Sequence, residues 1–250
     1  MSAITTIRAR QVWDSRGRPT IEVEVHLESG AFGRAIAPSG ASTGSREALD
    51  RRDGGKRLGG YGVNGPIAAV NGEIASELQG LNGLDQFRCD AKLIALDGTD
   101  QKTRLGGNAL VATSSAIAWA AASERKIALW QHLRTLAGLD AATPHIPAPM
   151  IQIFGGGRHA GNRIDVQDYL VIATGATSFV EATEWIAEIY IAAAKAMQQA
   201  GKLNGVADEG GVWPDFRANE DGLELLVKAI ESAGLRPGRD IGIALDIAAS

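Results

Sequence analysis

Three prolines within six residues divide this chain into two stretches with different patterning. They are Pro144, Pro147 and Pro149, in Thr143-Pro144-His145-Ile146-Pro147-Ala148-Pro149. Proline has no amide hydrogen and disfavours helix at the residue before it, so neither a helix nor a central strand continues through this segment. It reads as a linker. Before it, strands give way to helices. After it, short apolar runs alternate with long helical ones.

In the first stretch, residues 20–27 alternate with period two. Ile21, Val23, Val25 and Leu27 share one face, and Glu22, Glu24 and His26 share the other. This strand pairs with 4–13 across the turn-rich Asp14-Ser15-Arg16-Gly17-Arg18-Pro19, and a third strand over 32–37 completes a small antiparallel meander. Helical spacing follows. Ile67, Val70, Ile74 and Leu78 recur at three and four residues, a second helix covers 84–96, and an Ala-rich third runs over 108–125. So much alanine suits a buried helix packed closely on its neighbours.

In the second stretch, 150–154 and 168–173 read as short buried strands. Residues 178–201 form a long helix, with Ser178 as N-cap and Gly201 as C-cap. Another helix spans 219–233, and a last strand over 241–246 delivers Asp246 at its carboxyl end. This alternation predicts parallel βα units. An acid at the tip of a buried parallel strand lies where α/β enzymes put their chemistry. A closed (β/α)8 barrel takes about 250 residues, and only roughly 100 follow the prolines, so the expectation is an incomplete barrel.

Composition removes several classes of function. A net charge of −4 without Lys/Arg runs gives no nucleic-acid surface. Cys89 is the single cysteine, which excludes a disulfide framework and a Cys-based zinc site. The amino end lacks a secretory pattern, and no apolar run is long enough for a membrane helix. The expectation is a cytoplasmic protein without nucleic-acid or membrane partners.

Several segments could carry chemistry. Ser39-Gly40-Ala41-Ser42-Thr43-Gly44 is a small, hydroxyl-rich loop suited to a lid. Gly155-Gly156-Gly157-Arg158-His159 allows backbone to approach a ligand but lacks the dinucleotide fingerprint. Gln167 and Asp168 open a strand. Asp208-Glu209-Gly210-Gly211 places paired acids before paired glycines, where a carboxyl group can act as acid or base. No nucleophile elbow and no reactive-cysteine context is present. Carboxylates with a hydroxyl suit a hard cation such as Mg²⁺.

With these segments in order, the chain resembles the enolase family along essentially its whole length. The resemblance rests on Asp14-Ser15-Arg16-Gly17 with Pro19-Thr20, on Ser39 to Gly44 with Glu47-Ala48-Leu49, and on Leu96-Asp97-Gly98-Thr99. His159-Ala160, Asp208 to Gly211 and Asp246-Ile247-Ala248-Ala249-Ser250 complete it. It implies an α+β capping domain over 1–138, followed over 139–250 by an incomplete (β/α)8 (TIM-type) barrel that begins irregularly. It also implies dehydration of 2-phosphoglycerate to phosphoenolpyruvate with two Mg²⁺, by a homodimer. Carried over by motif, Glu209 is the general acid and Asp246 a Mg²⁺ ligand. Ser42 is the lid hydroxyl on the other Mg²⁺, and His159, Gln167 and Asp168 line the substrate pocket. The base, the remaining metal carboxylates and the phosphate-holding cations are implied to lie beyond residue 250, so 1–250 alone is expected to be inactive.

The chain departs from the family pattern at several positions. Asp168 stands where Glu is expected, Gly155 where Asn is usual, Ile191 where His is usual, and Val212-Trp213-Pro214-Asp215 where Phe-Ala-Pro-Asn is typical. Two other readings therefore stand beside the first. One is a paralogue acting on a related phosphorylated or phosphonate hydroxy acid, and the other is a non-catalytic scaffold. Retention of Ser42, His159, Glu209 and Asp246 argues against the scaffold, because buried acids cost free energy to desolvate.

Overall fold

The computed structural model describes the chain except for Met1, Pro38, Ala41, Ser42, Arg163, Asp208, Ala249 and Ser250. For His159 and Asn204 it describes the backbone alone. The chain forms two compact units, Met1–Thr143 and Pro144–Ser250. Residues 143–149 carry neither helix nor strand.

The first unit begins with the meander β1 (Ile4–Trp13), β2 (Pro19–Leu27) and β3 (Phe32–Ile36), antiparallel throughout. Alternation in β2 does what its periodicity predicts: Ile21, Val23, Val25 and Leu27 are buried. Each such side chain contributes roughly 1.5–3 kcal/mol on burial. The helical pattern around 67–78 becomes two short helices, α1 (Asn64–Ala69) and α2 (Ala75–Leu78), joined by the π-helical turn Val70–Ile74. Next come α3 (Gln86–Asp97), α4 (Gly107–Glu124) and α5 (Leu129–Leu136), the last of which periodicity did not reveal.

Small residues set the spacing between α4 and the sheet. Ala109, Ala112, Ala116 and Ala120 are fully buried. Opposite them Gly33 on β3 comes so close that a Cβ there would lie 2.1 Å from the Ala116 carbonyl oxygen and 2.2 Å from the Ala120 nitrogen. Neither backbone atom can yield, so glycine is required at this crossing.

Asp97 closes the α3–α4 connection. It is buried, its Oδ1 accepts from the Thr99 amide at 3.0 Å and from the Thr99 hydroxyl, and its Oδ2 accepts from Leu105 N at 2.8 Å. Burial acts to raise its pKa. The Thr99 and Leu105 hydrogen bonds outweigh that and hold it below the usual aspartate value. The Leu96 to Thr99 motif is thus a structural turn, with Gly98 in the left-handed region at φ 70°.

The second unit contains β4 (Met150–Gly155), β5 (Asp168–Ile172), α6 (Phe179–Gln199), β6 (Leu203–Val206), β7 (Val212–Pro214), α7 (Asn219–Ser232) and β8 (Gly242–Asp246). Ser178 caps α6 by accepting from Glu181 N at 3.1 Å. Gly201 lies one residue beyond the C-cap Ala200, at φ 65°. The sheet order is β6-β7-β4-β5-β8, and the sheet is not closed. The core of this unit includes Phe154, Tyr169 and Phe216, which meet edge to face.

Strand direction corrects the sequence expectation. Only the β4–β7 pair is parallel among the described residues; β5 runs antiparallel to both β4 and β8. The cause is the connection between β4 and β5. It is a loop with a single 3-10 turn, Gly157–Ala160, rather than a crossover helix, so β5 returns directly along its neighbour. The strand that ends at Asp246 is therefore neither parallel to its partner nor fully buried. No helix among the described residues is long and apolar enough to cross a membrane.

Two outcomes test this description. Gly33→Ala is expected to lower unfolding free energy by about 3 kcal/mol, the upper range for overpacking, as read from urea denaturation. The second concerns His132 on α5, which is fully buried, with Nδ1 3.2 Å from Arg125 Nη1. Burial first, then the Arg125 charge, hold its pKa below the ordinary 6.5. As pH falls, the unfolded chain therefore protonates this ring before the folded chain does. Its contribution to stability is therefore complete above about pH 6.5 and falls as pH drops through that value. The His132→Gln variant is expected to show a flatter stability profile between about pH 7.5 and 5.5.

Candidate functional site

The reversal of β5 aligns three strand ends. Asp168 opens β5, facing Gly155 at the end of β4 on one side and Asp246 at the end of β8 on the other. The pairing extends one residue further, because Gln167 N donates to the Asp246 carbonyl oxygen at 2.9 Å. The Gln167 side-chain amide reaches Asp246 Oδ2 at 3.5 Å. Asp246 Oδ1 accepts from Ala248 N at 2.9 Å. Three sequence-predicted residues, Gln167, Asp168 and Asp246, thus stand side by side.

Glu209 lies in the turn between β6 and β7, two short strands that the sequence patterning did not reveal. This turn is closed by Ala207 N donating to Gly211 O at 2.8 Å and Gly210 N donating to Ala207 O at 3.0 Å. Tyr190 on α6 donates its hydroxyl to Gly210 O at 3.0 Å. From the sheet side, Gln152 on β4 accepts from Gly211 N at 2.8 Å, and its amide nitrogen donates to Asp168 Oδ1. The Glu209 turn and Asp168 are therefore joined through one side chain.

The acids differ in exposure. Asp168 is 6% exposed, whereas Glu209 and Asp246 are open to solvent. This corrects the argument from buried retained acids: neither Glu209 nor Asp246 is buried, and the acid that is, Asp168, is one of the departures from the family pattern. A carboxylate at a strand tip or in a surface turn keeps its hydration, so its presence carries no such penalty.

His159 belongs to the 3-10 turn Gly157–Ala160, followed by Gly161 and Asn162 in left-handed conformation. Trp213 on β7 donates its indole N–H to the Ala160 carbonyl oxygen at 3.1 Å. Trp213 is one of the positions that departs from the family pattern, and here it ties the His159 turn to the neighbouring strand. Asn219 anchors the rest of that loop, accepting from Asp165 N at 3.0 Å. Ser42 lies outside the described residues. Nearby, Arg16 pairs with Asp14 and donates to the Ser39 carbonyl oxygen at 2.5 Å, while Ser39 Oγ donates to Asp50 at 2.8 Å.

Sequence reasoning missed Gln152 and Tyr190, and marked Trp213 only as a departure from the family pattern. For Gln152 a signal was present: it is the one polar residue in the apolar run Met150-Ile151-Gln152-Ile153-Phe154. As for metal, no cluster of three His, Cys, Asp or Glu residues able to hold an ion occurs among the described residues. The donors that do converge are all oxygens. Among the described residues, each oxygen of Asp246 has one protein hydrogen bond and lone-pair capacity to spare. That chemistry fits part of a hard-cation site rather than a whole one.

Comparison with known proteins agrees with the geometry. The family model described as enolase, N-terminal domain, matches residues 4–133, and that described as enolase, C-terminal TIM barrel domain, matches residues 143–250. The chain is 48% identical over 248 residues to the protein named Enolase 1 of Desulfitobacterium hafniense (strain Y51). That alignment covers 99% of this chain and 56% of the relative, so the chain spans about half the length of the curated relative it matches.

The tie between β7 and the His159 turn can be measured. Trp213→Phe keeps an aromatic ring but removes the N–H donor, and is expected to cost about 1 kcal/mol in urea unfolding. Unchanged stability would mean that the Ala160 bond holds nothing.

Proposed function

This chain belongs to the enolase family, and from that premise we propose that the intact protein dehydrates 2-phosphoglycerate to phosphoenolpyruvate with Mg²⁺. The observation that carries the reading is the alignment of Asp168 with Asp246, tied through Gln152 to the turn that bears Glu209.

In this reading Glu209 protonates the departing hydroxyl, because hydroxide is a poor leaving group. Its position at an exposed turn gives substrate access to the acid. Asp246 and Ser42 contribute oxygen ligands. Mg²⁺, when bound, supplies positive charge against the second negative charge that builds on the substrate carboxylate as its neighbouring proton leaves, a strategy for which enolase-superfamily sites are the standard illustration. Gln167, Asp168 and His159 line the substrate pocket, with Gln167 also orienting the Asp246 carboxylate. The base and the phosphate-holding groups belong to the remainder of the site and are not assigned to residues 1–250. A homodimer and a cytoplasmic location accompany this reading.

Asp168 favours a second reading. It is one methylene shorter than the expected Glu, and about 1 Å of displacement at a reacting centre costs on the order of 10²-fold in rate. A paralogue handling a related phosphorylated or phosphonate hydroxy acid accommodates that difference.

The test is to express the complete reading frame and follow phosphoenolpyruvate absorbance from 2-phosphoglycerate, with and without Mg²⁺. Mg²⁺-dependent turnover is expected, and none from purified 1–250. A folded, Mg²⁺-binding protein that ignores 2-phosphoglycerate but dehydrates the phosphonate analogue would establish the second reading instead. One that dehydrates neither would remove both.

A further inference from the structure

The geometry points to Gln152 as a positioning residue that holds the Glu209 turn in register with Asp168, the two forming a length-matched pair across β4 and β5. The inference rests on the roles proposed above for Glu209 and Asp168.

Both ends of the Gln152 carboxamide are engaged. Its Oε1 accepts from Gly211 N at 2.8 Å, and its Nε2 donates to Asp168 Oδ1. The orientation of the amide is dictated by its partners. A backbone N–H needs an acceptor and a carboxylate accepts, so oxygen must face Gly211 and nitrogen must face Asp168. No other uncharged side chain of this length offers one donor and one acceptor on the same terminal plane.

The backbone around it is cleared for this contact. A Cβ on Gly211 would lie 2.3 Å from Gln152 Oε1 and 2.8 Å from Gly155 N. A Cβ on Gly155 would lie 2.6 Å from the Ala207 methyl. Gly155 is one of the positions that departs from the family pattern, and its missing side chain is what lets Ala207, two residues before Glu209, seat against β4. Tyr190 grips the Gly210 carbonyl oxygen from the helix side at 3.0 Å. The turn is thus held on the residues immediately following Glu209 by Gln152 and Tyr190.

Asp168 is short for its proposed role, and the long reach of Gln152 closes the distance from the opposite strand. Moving one methylene from one partner to the other should preserve the contact, whereas changing either alone should break it. The pair consequently fixes where Asp168 points and, through Gly211, where the acid-bearing turn sits.

The test uses the full-length protein. Asp168→Glu and Gln152→Asn are each expected to lower kcat by roughly 10²-fold with much smaller changes in KM. The double variant is expected to regain at least about tenfold over the worse single variant. Additive losses would overturn the length matching. A second measurement is independent of activity: amide hydrogen exchange across residues 207–215. Gln152→Leu is expected to speed exchange at Gly211 by about tenfold or more, because that amide loses its acceptor. Gln152→Glu keeps the acceptor and is expected to leave this exchange slow while kcat falls. Unchanged exchange in Gln152→Leu would overturn the positioning role. If the wild-type protein does not turn over 2-phosphoglycerate, the proposed reaction fails, and the exchange experiment still decides whether Gln152 holds the turn.

Discussion

Because β5 runs back along β4 and β8 runs back along β5, Gly155, Asp168 and Asp246 come to lie side by side at one end of the sheet. Everything at the candidate site depends on that reversal. Had a helix crossed over between β4 and β5, Asp168 would stand at the start of a parallel strand, at the opposite end from Asp246. The short loop between them, with its 3-10 turn and left-handed Gly161 and Asn162, makes the reversal physically available. Asn219 and Trp213 then hold that loop from the neighbouring elements.

Close backbone approach is the second constraint, and it recurs in both units. In the first, Gly33 allows α4 to settle on β3, and the helix answers with a stripe of alanines. In the second, Gly155 and Gly211 allow the turn after β6 to sit on β4 and meet Gln152. In each case the missing Cβ determines how near two elements come, and the hydrogen bonds and packing around it follow from that distance. Surface charge plays a smaller part. Exposed pairs such as Lys92 with Glu77 contribute little, as solvent-facing ion pairs generally do.

Much of the fold was legible in the sequence. Alternation in β2 identified the buried face residue by residue, alanine content announced a tightly packed α4, and Ser178 marked the start of α6 at its actual cap. The family resemblance, carried by short motifs in order, agrees with the matches to both enolase domain models. What escaped was short or non-local. Strands β6 and β7 have four and three residues and little periodicity. The expectation of parallel strands came from counting alternating elements, which says nothing about direction when a connection is short. Exposure of the acids also escaped, because residue type does not reveal whether a strand tip faces solvent.

Local chemistry therefore determined the elements, the caps, the division at the prolines and the identities of Glu209, Asp168 and Asp246 as candidate groups. Those depend on periodicity and backbone preference, which act over a few residues and are written into the order of side chains. Only the tertiary structure decided that β5 runs antiparallel, that Asp168 alone among these acids is buried, and that Gln152 spans from Asp168 to the Glu209 turn. Such facts arise from contacts between residues up to 79 apart in the chain. They are set by how closely two backbones can pack, a distance that no local pattern specifies.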